Sequence, residues 1–267
     1  RMEPNRELLK MVLELKSMMK GPVLEMAREV VRKVALELAK QMEQEIRPAL
    51  TGRIDRSSGS PVRSVRNLDI KRTIRMNLKH YDTEKKQLLL KDVYFYGRLK
   101  RHSPWRVILC VDESGSMLDS VIYSAVMAGI FARLPVMDVR LVIFDTSVVD
   151  LSGYVEDPVE TLMSVQLGGG TDIGGALRYC ETLMESPART VMVLVSDLYE
   201  GGSYQNMLGA VKDIVESGAK FVALTALDHE AEPVYDRNAA EHMARLGAHV
   251  GAMTPEQLAE WMGKIIA

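Results

Sequence analysis

Cysteine is scarce in this chain: of 267 residues only Cys110 and Cys180 are cysteines, and they lie far apart. No Cys-x-x-Cys pair occurs, which excludes a zinc ribbon and a dithiol redox motif. Cys110 falls in an apolar strand-like run and Cys180 in a helical one. Core packing in a reducing compartment is therefore the expected role of both. A charge of one sign is also missing. Thirty-four basic residues stand against 36 acidic ones, a net charge of -2, which argues against a dedicated nucleic-acid or membrane binder. No uninterrupted run of about 18 apolar residues is present, so no membrane span is expected. The chain opens on Arg1-Met2-Glu3, an internal start, and the lack of a signal peptide adds only slightly to a cytoplasmic expectation. His80, His102, His229, His242 and His249 are scattered and form no His-x-x-x-His pair. There is no Gly-x-Ser-x-Gly elbow. The run Gly168–Gly170 lacks the lysine of a phosphate loop, and Asp172 at the helix start would repel a phosphate. No nucleophile-plus-base pair stands out, so no catalysis is expected.

What is present is ordinary globular material, 47% apolar and 26% charged. That is enough for one sizeable core plus an appendage. Residues 3–20 carry Leu8, Leu9, Val12, Leu15, Met18 and Met19 at helical spacing. Gly21-Pro22 stops this helix and starts a second. The second runs to about Ile46 on a stripe containing Val23, Met26, Val30, Val34, Leu38 and Met42, with Pro48 and Gly52 ending it. The pair predicts a helical hairpin over 1–50. Its stripe suits packing on its own protein as well as docking to a partner.

Residues 51–104 differ in composition and read as a basic linker followed by an extended segment. Between 51 and 80, eight basic residues stand against two acidic ones, a net +6. Arg56–Pro61 is linker-like, Asp69–Leu78 reads as a short basic helix, and 86–96 as an edge strand or hairpin. The absence of interleaved aromatics favours a solvated face or a contact with an acidic partner over nucleic acid.

From Trp105 the pattern becomes regular. Strand-like runs at 107–111, 139–144, 191–195, 220–226 and 248–252 alternate with helix-like stretches at 116–133, 173–185, 205–217, 238–246 and 255–266. Such alternation predicts parallel strands joined by helical crossovers. The exception is at Asp145-Thr146-Ser147, a turn that would fold 148–151 back as an antiparallel edge strand. The expected fold class is α/β: a doubly wound, mostly parallel six-stranded sheet over 105–267, preceded by the N-terminal helical segment.

Three loops at strand carboxyl ends carry the chemistry. Ligands of open α/β sheets bind at those ends. Asp112-Glu113-Ser114-Gly115-Ser116-Met117 offers one carboxylate and two hydroxyls at alternating positions. Gly168-Gly169-Gly170-Thr171-Asp172 offers another hydroxyl, and Ser196-Asp197-Leu198 another carboxylate. Hard divalent cations prefer such oxygen sets. Asp112, Ser114, Ser116, Thr171 and Asp197 would converge if their strands are neighbours. Asp172 would orient Thr171 or cap the helix behind it. Glu113 and Met117 would line the rim or pack beneath it. Asp145 reads as a turn residue, and Asp228-His229-Glu230 as a polar loop on the same rim.

The succession Asp-x-Ser-x-Ser, Gly-Gly-Gly-Thr-Asp and Ser-Asp resembles the von Willebrand factor A (VWA) domain with its metal-ion-dependent adhesion site (MIDAS). The stretches Asp69–Tyr81 and Arg101–Trp105 are similar to bacterial VWA proteins of the CoxE-like group, whose members tend to be paired with MoxR-type AAA+ ATPases. The resemblance implies Mg2+, or Mn2+, held by Ser114, Ser116 and Thr171, with Asp112 and Asp197 acting directly or through water. It also implies an open coordination position for an Asp or Glu of a protein partner. The expected function is a metal-dependent adaptor working with a MoxR-type AAA+ ATPase or its client. The alternative is a subunit of a chelatase-like metal-insertion or cofactor-maturation complex. A weaker third is a metal-dependent phosphohydrolase.

Overall fold

The computed structural model describes residues 6–51, 68–82, 85–95, 104–166, 168–227 and 234–266. The elements begin with helices α1 (Arg6–Leu15) and α2 (Pro22–Thr51). Helix α3 (Ile70–Asn77) and the two-residue strands β1 (Tyr81–Asp82) and β2 (Gln87–Leu88) follow. Then come β3 (Trp105–Asp112), α4 (Leu118–Ala132), β4 (Met137–Phe144), β5 (Val148–Asp150), α5 (Pro158–Ser164) and α6 (Ile173–Thr182). The last are β6 (Thr190–Val195), α7 (Tyr204–Glu216), β7 (Lys220–Leu224), α8 (Arg237–Arg245), β8 (His249–Gly251) and α9 (Pro255–Ile266). The described residues of 1–51 and 103–267 form one compact unit, and those of 52–102 form another.

The first unit is built on a six-stranded sheet in the order β5-β4-β3-β6-β7-β8. All neighbours are parallel except β4 and β5, which are joined through the Asp145–Ser147 turn with Phe144 opposite Val148. The α/β class, the doubly wound sheet and its antiparallel edge are as the alternating pattern predicts. The chain enters the sheet at β3, runs outward to β5, then returns to β6 on the other side of β3. That reversal opens a crevice at the carboxyl ends of β3 and β6.

Strand periodicity divides the core in two. Val107, Leu109 and Val111 of β3 face one side with α4, α5 and α9, whereas Ile108 and Cys110 face the other with α6, α7 and α8. Both faces are covered, which is why the strands read as continuous apolar runs. Helix α5 is absent from the sequence reading. It is short, but Asp157-Pro158 is a cap and first-turn signal, and Asp157 accepts from the Val159 and Glu160 N–H groups.

Helices α1 and α2 belong to the same core. Leu9, Leu13, Val31, Leu38, Ile46 and Leu50 are buried in the cluster that holds Leu109, Val121 and Met262. The sequence boundaries at 1–50 and 105–267 thus fall inside one packed unit, and of the two uses of the hairpin stripe, packing on its own protein is the one seen. Ion pairs stitch the join: Lys10 to Asp119 at 2.8 Å, and Arg28 to Glu160. Helix α2 runs past its expected end at about Ile46, through Pro48, and stops at Thr51, just before Gly52. A proline inside a helix costs about 3 kcal/mol, but Ile46 and Leu50 on either side of it are buried. At this level Gly263 of α9 lets the two helices touch, since a Cβ there would lie 2.4 Å from the Ala49 carbonyl oxygen.

Among the described residues one stretch, Gly115–Ala132, is long and apolar enough to cross a bilayer, and 78% of it is buried inside the protein. It is α4 with its preceding turn, a core helix that carries Asp119 and Ser120 in its first turn.

In the second unit, β1 and β2 form an antiparallel pair of their own, and Leu68 bridges Phe95. The extended segment read at 86–96 is therefore, over its described residues, a hairpin and bridge within this unit.

Candidate functional site

The three loops singled out in the sequence lie at the carboxyl ends of β3 and β6 and at the start of α6. β3 ends in Asp112, which is fully buried. The next backbone turns back on it: the Ser114 N–H donates to Asp112 Oδ1 at 2.9 Å. The other carboxylate oxygen, Oδ2, accepts from the Ser196 hydroxyl at 2.8 Å. Ser196 is itself buried and accepts from the Leu198 N–H at 3.0 Å. In the sequence Ser196 is simply the residue before Asp197. Its role in holding Asp112 follows from the parallel pairing of β3 with β6, which sets Val111 beside Val195.

Toward solvent the two loops join a second time. The Ser116 hydroxyl donates to Asp197 Oδ2 at 3.0 Å, and Ser114 Oγ lies 3.3 Å from Ser116 Oγ. Since Ser116 gives its proton to Asp197, it can only accept from Ser114. The structure therefore brings Asp112, Ser114, Ser116 and Asp197 into one hydrogen-bonded network. Thr171 lies outside this network: its carbonyl accepts from the N–H of Gly201, four residues past Asp197, at 2.8 Å. Among the described residues its hydroxyl has no hydrogen bond to the 112–117 loop.

Asp172 caps α6, accepting from the Gly175 N–H at 2.8 Å. Glu200, which the sequence reading passed over, holds the same helix end by accepting from the Ile173 N–H at 2.8 Å. Asp145 is the turn residue expected, accepting from the Ser147 N–H and hydroxyl. Gly169 passes over it with φ +114, and a Cβ there would sit 2.6 Å from Asp145 Oδ2. Glycine is needed at that point for space and for backbone conformation alike. Glu113 and Met117 pack beneath the loop; Glu113 is 2% exposed and accepts from the Gln166 N–H at 2.7 Å. The 228–230 loop lies outside the described residues.

Burial pushes the Asp112 carboxyl above its usual range. Its bonds from Ser114 and Ser196 pull the other way, and the charge of Asp197 adds to the push. Burial likewise raises Glu113 and Glu200. Among the described residues, no lysine or arginine forms an ion pair with Asp112, Asp145, Asp172, Asp197 or Glu200. Negative charge thus gathers at one end of the sheet without an ion-paired cation. The donors are carboxylate and hydroxyl oxygens, the set a hard dication accepts. No group of three or more His, Cys, Asp or Glu that could hold a metal occurs among the described residues, so such an ion would rely on the hydroxyls. Leu198, fully buried, is held at φ +65 beside this site, a backbone state that costs a non-glycine residue about 1–3 kcal/mol and concentrates at functional loops.

Comparison with known proteins supplies the family. The family described as "VWA domain containing CoxE-like protein" matches residues 42–262. The chain is similar to the uncharacterized protein YehP of Escherichia coli (strain K12), with 46% identity over 265 residues, covering 99% of this chain and 70% of that protein. Among solved structures it is similar to the conserved hypothetical protein BatB of Bacteroides thetaiotaomicron, with 16% identity and a TM-score of 0.44 over 61% of this chain and 97% of that one. It is also similar to the SpRpn10 VWA domain, with 13% identity and a TM-score of 0.44 over 60% of this chain and 94% of that one. The family match over most of its length, on top of the three-part loop signature, makes this chain a member of the VWA-domain-containing CoxE-like family.

Proposed function

We propose that this chain is a metal-dependent adaptor: a protein-interaction module that captures an acidic side chain of a partner at the 112–117, 171 and 197 loops. One observation carries the reading. The Ser114–Ser116–Asp197 chain of oxygens sits at the mouth of the β3–β6 crevice, above a buried Asp112 that no described lysine or arginine pairs. Asp112, Ser114, Ser116, Thr171 and Asp197 would hold Mg2+, with Mn2+ an equivalent occupant by donor chemistry. When bound, such an ion supplies a Lewis-acidic position that attracts an outside carboxylate.

The protein's own groups do the rest. Ser196 and the Ser114 N–H fix Asp112 in one orientation. Asp172 and Glu200 fix the start of α6 and with it the Thr171 loop. With Asp112 and Asp197 acting through water, three neutral hydroxyls are the direct protein ligands of the dication, which favours a further anionic ligand over activation of water. By the resemblance of this family, the partner is a MoxR-type AAA+ ATPase or that ATPase's client. Cys110 and Cys180, both free and buried, suit a reducing, cytoplasmic setting.

The test is a binding measurement between the immobilised chain and the partner ATPase, with magnesium or with chelator. Magnesium-dependent binding that Asp112→Ala abolishes while the circular dichroism stays native is the expected result. Binding that is equal with chelator and magnesium would contradict it.

A further inference from the structure

Helix α3 is buried the opposite way round from an ordinary amphipathic helix. Asp69, Thr73 and Asn77 recur every fourth residue and share a face, and that polar face is the buried one. The chain returning at 91–94 satisfies it. The Tyr94 N–H donates to Thr73 Oγ1 at 3.0 Å, Asn77 Nδ2 donates to the Asp92 carbonyl at 2.7 Å, and Asn77 Oδ1 accepts from the Lys91 N–H at 2.8 Å. The next face holds Ile70 and Ile74 and is continued by Leu78 in the 3-10 turn that follows, and it is open to solvent: these residues are 60%, 44% and 57% exposed. Beside it lie Lys71, Arg75 and Lys79, all exposed. Among the described residues no carboxylate forms an ion pair with any of the three.

Eight residues are too few for a helix to persist on propensity. The buried polar spine holds it, and leaves the aliphatic stripe free for another molecule. Covering such side chains is favourable in proportion to the apolar area removed from water. An exposed row of three beside cations that have no ion-pair partner among the described residues is therefore a surface built for contact.

We propose that this face docks an acidic amphipathic helix of a partner protein. The partner's aliphatic stripe covers Ile70, Ile74 and Leu78, spaced as helix-in-groove anchors are, while carboxylates flanking that stripe meet Lys71, Arg75 and Lys79. Charge selects this occupant. Residues 52–102 contain 14 basic and 5 acidic residues, a net +9, so the same faces of two copies repel each other. Nucleic acid would be drawn by the charge, but an aliphatic stripe offers no aromatic face on which bases stack. The surface uses none of the 112–197 loops, so its binding is independent of metal.

The test uses the full chain, in chelator, with labelled helical peptides read by fluorescence anisotropy. One peptide carries a leucine stripe flanked by glutamates, a second the same stripe flanked by lysines, and a third glutamates with serine in place of leucine. A single-stranded RNA is the fourth probe. The glutamate–leucine peptide should bind at least about tenfold tighter than the other three, and Ile74→Ser and Arg75→Glu should each weaken it by about tenfold. Ile74→Ala, with an unchanged melting temperature, should show the same loss and separates lost contact from lost fold. Equal binding of all three peptides would overturn the proposal. So would RNA binding that survives Ile74→Ser with the acidic peptide unbound, or a concentration-dependent dimer that Ile74→Ser abolishes.

Discussion

The Ser116 hydroxyl donates to Asp197 Oδ2 at 3.0 Å, joining loops that are 81 residues apart in the chain. Only the return of the chain from β5 to β6 allows this, because it makes β6 the direct neighbour of β3. A second tie lies beneath it, from Ser196 to Asp112. The upper tie is open to solvent and the lower one is buried, so the two should respond differently to mutation.

Ser196→Ala takes away the donor to Asp112 and the acceptor for the Leu198 N–H together. Buried groups left unpaired cost about 1–3 kcal/mol, and outer partners of metal-binding residues are typically worth about 10–100-fold in affinity. The variant should therefore melt several degrees lower and bind magnesium at least about tenfold more weakly. Thermal denaturation and a magnesium titration on the same preparation check both. A variant that melts and binds like the wild type would show that Asp112 is oriented by other means.

The Lys16 ammonium donates to the Leu162 and Met163 carbonyls at 3.0 and 2.8 Å. Burial lowers its pKa to about 8, partly opposed by Glu113. In the unfolded chain the group titrates near 10.5. Between these values the unfolded chain holds more protons, so stability gains a rising contribution as the pH climbs from about 8 to 10.5. Below about 8 the cost of burying the charge is present in full. Urea denaturation of wild type and Lys16→Met across this range should show the wild type gaining on the variant above about pH 8. A constant difference would contradict the shift.

The docking of α2 on α9 is tested at Gly263 and Leu38. A Cβ at 263 would press on the Ala49 carbonyl, so Gly263→Ala should cost about 1–3 kcal/mol through overpacking. Leu38 is buried in the shared core, and Leu38→Ala should cost about 2–5 kcal/mol. Both should lower one cooperative transition, read by calorimetry. A separate early transition for the helices would show that they are not part of the sheet's unit.

Much of this was legible in the sequence for a physical reason. Strands covered on both faces must be apolar at every position, so 107–111, 139–144 and 191–195 announce themselves as apolar runs. Asp145-Thr146-Ser147 marks the one reversal because its side chains satisfy their own turn. The loop residues followed from where those strands end. What stayed hidden depends on long-range pairing. Nothing local distinguishes Ser196 or Glu200 from other loop residues until β6 lies beside β3 and α6 begins next to both. The continuation of α2 through Pro48 breaks a local rule and is held by Ile46 and Leu50 in the shared core. Helix α3 is legible as a short basic helix, but the burial of its Asp69, Thr73 and Asn77 face depends on the chain returning at 91–94.

The most direct test of the metal-dependent reading is a calorimetric titration of magnesium into the full chain and into Asp112→Asn. The substitution keeps the shape of the side chain and an acceptor oxygen while removing the charge. The account predicts saturable single-site binding to the wild type and loss of that binding in Asp112→Asn, with both proteins folded. Equal magnesium binding by the two proteins, or none by the wild type, would contradict it.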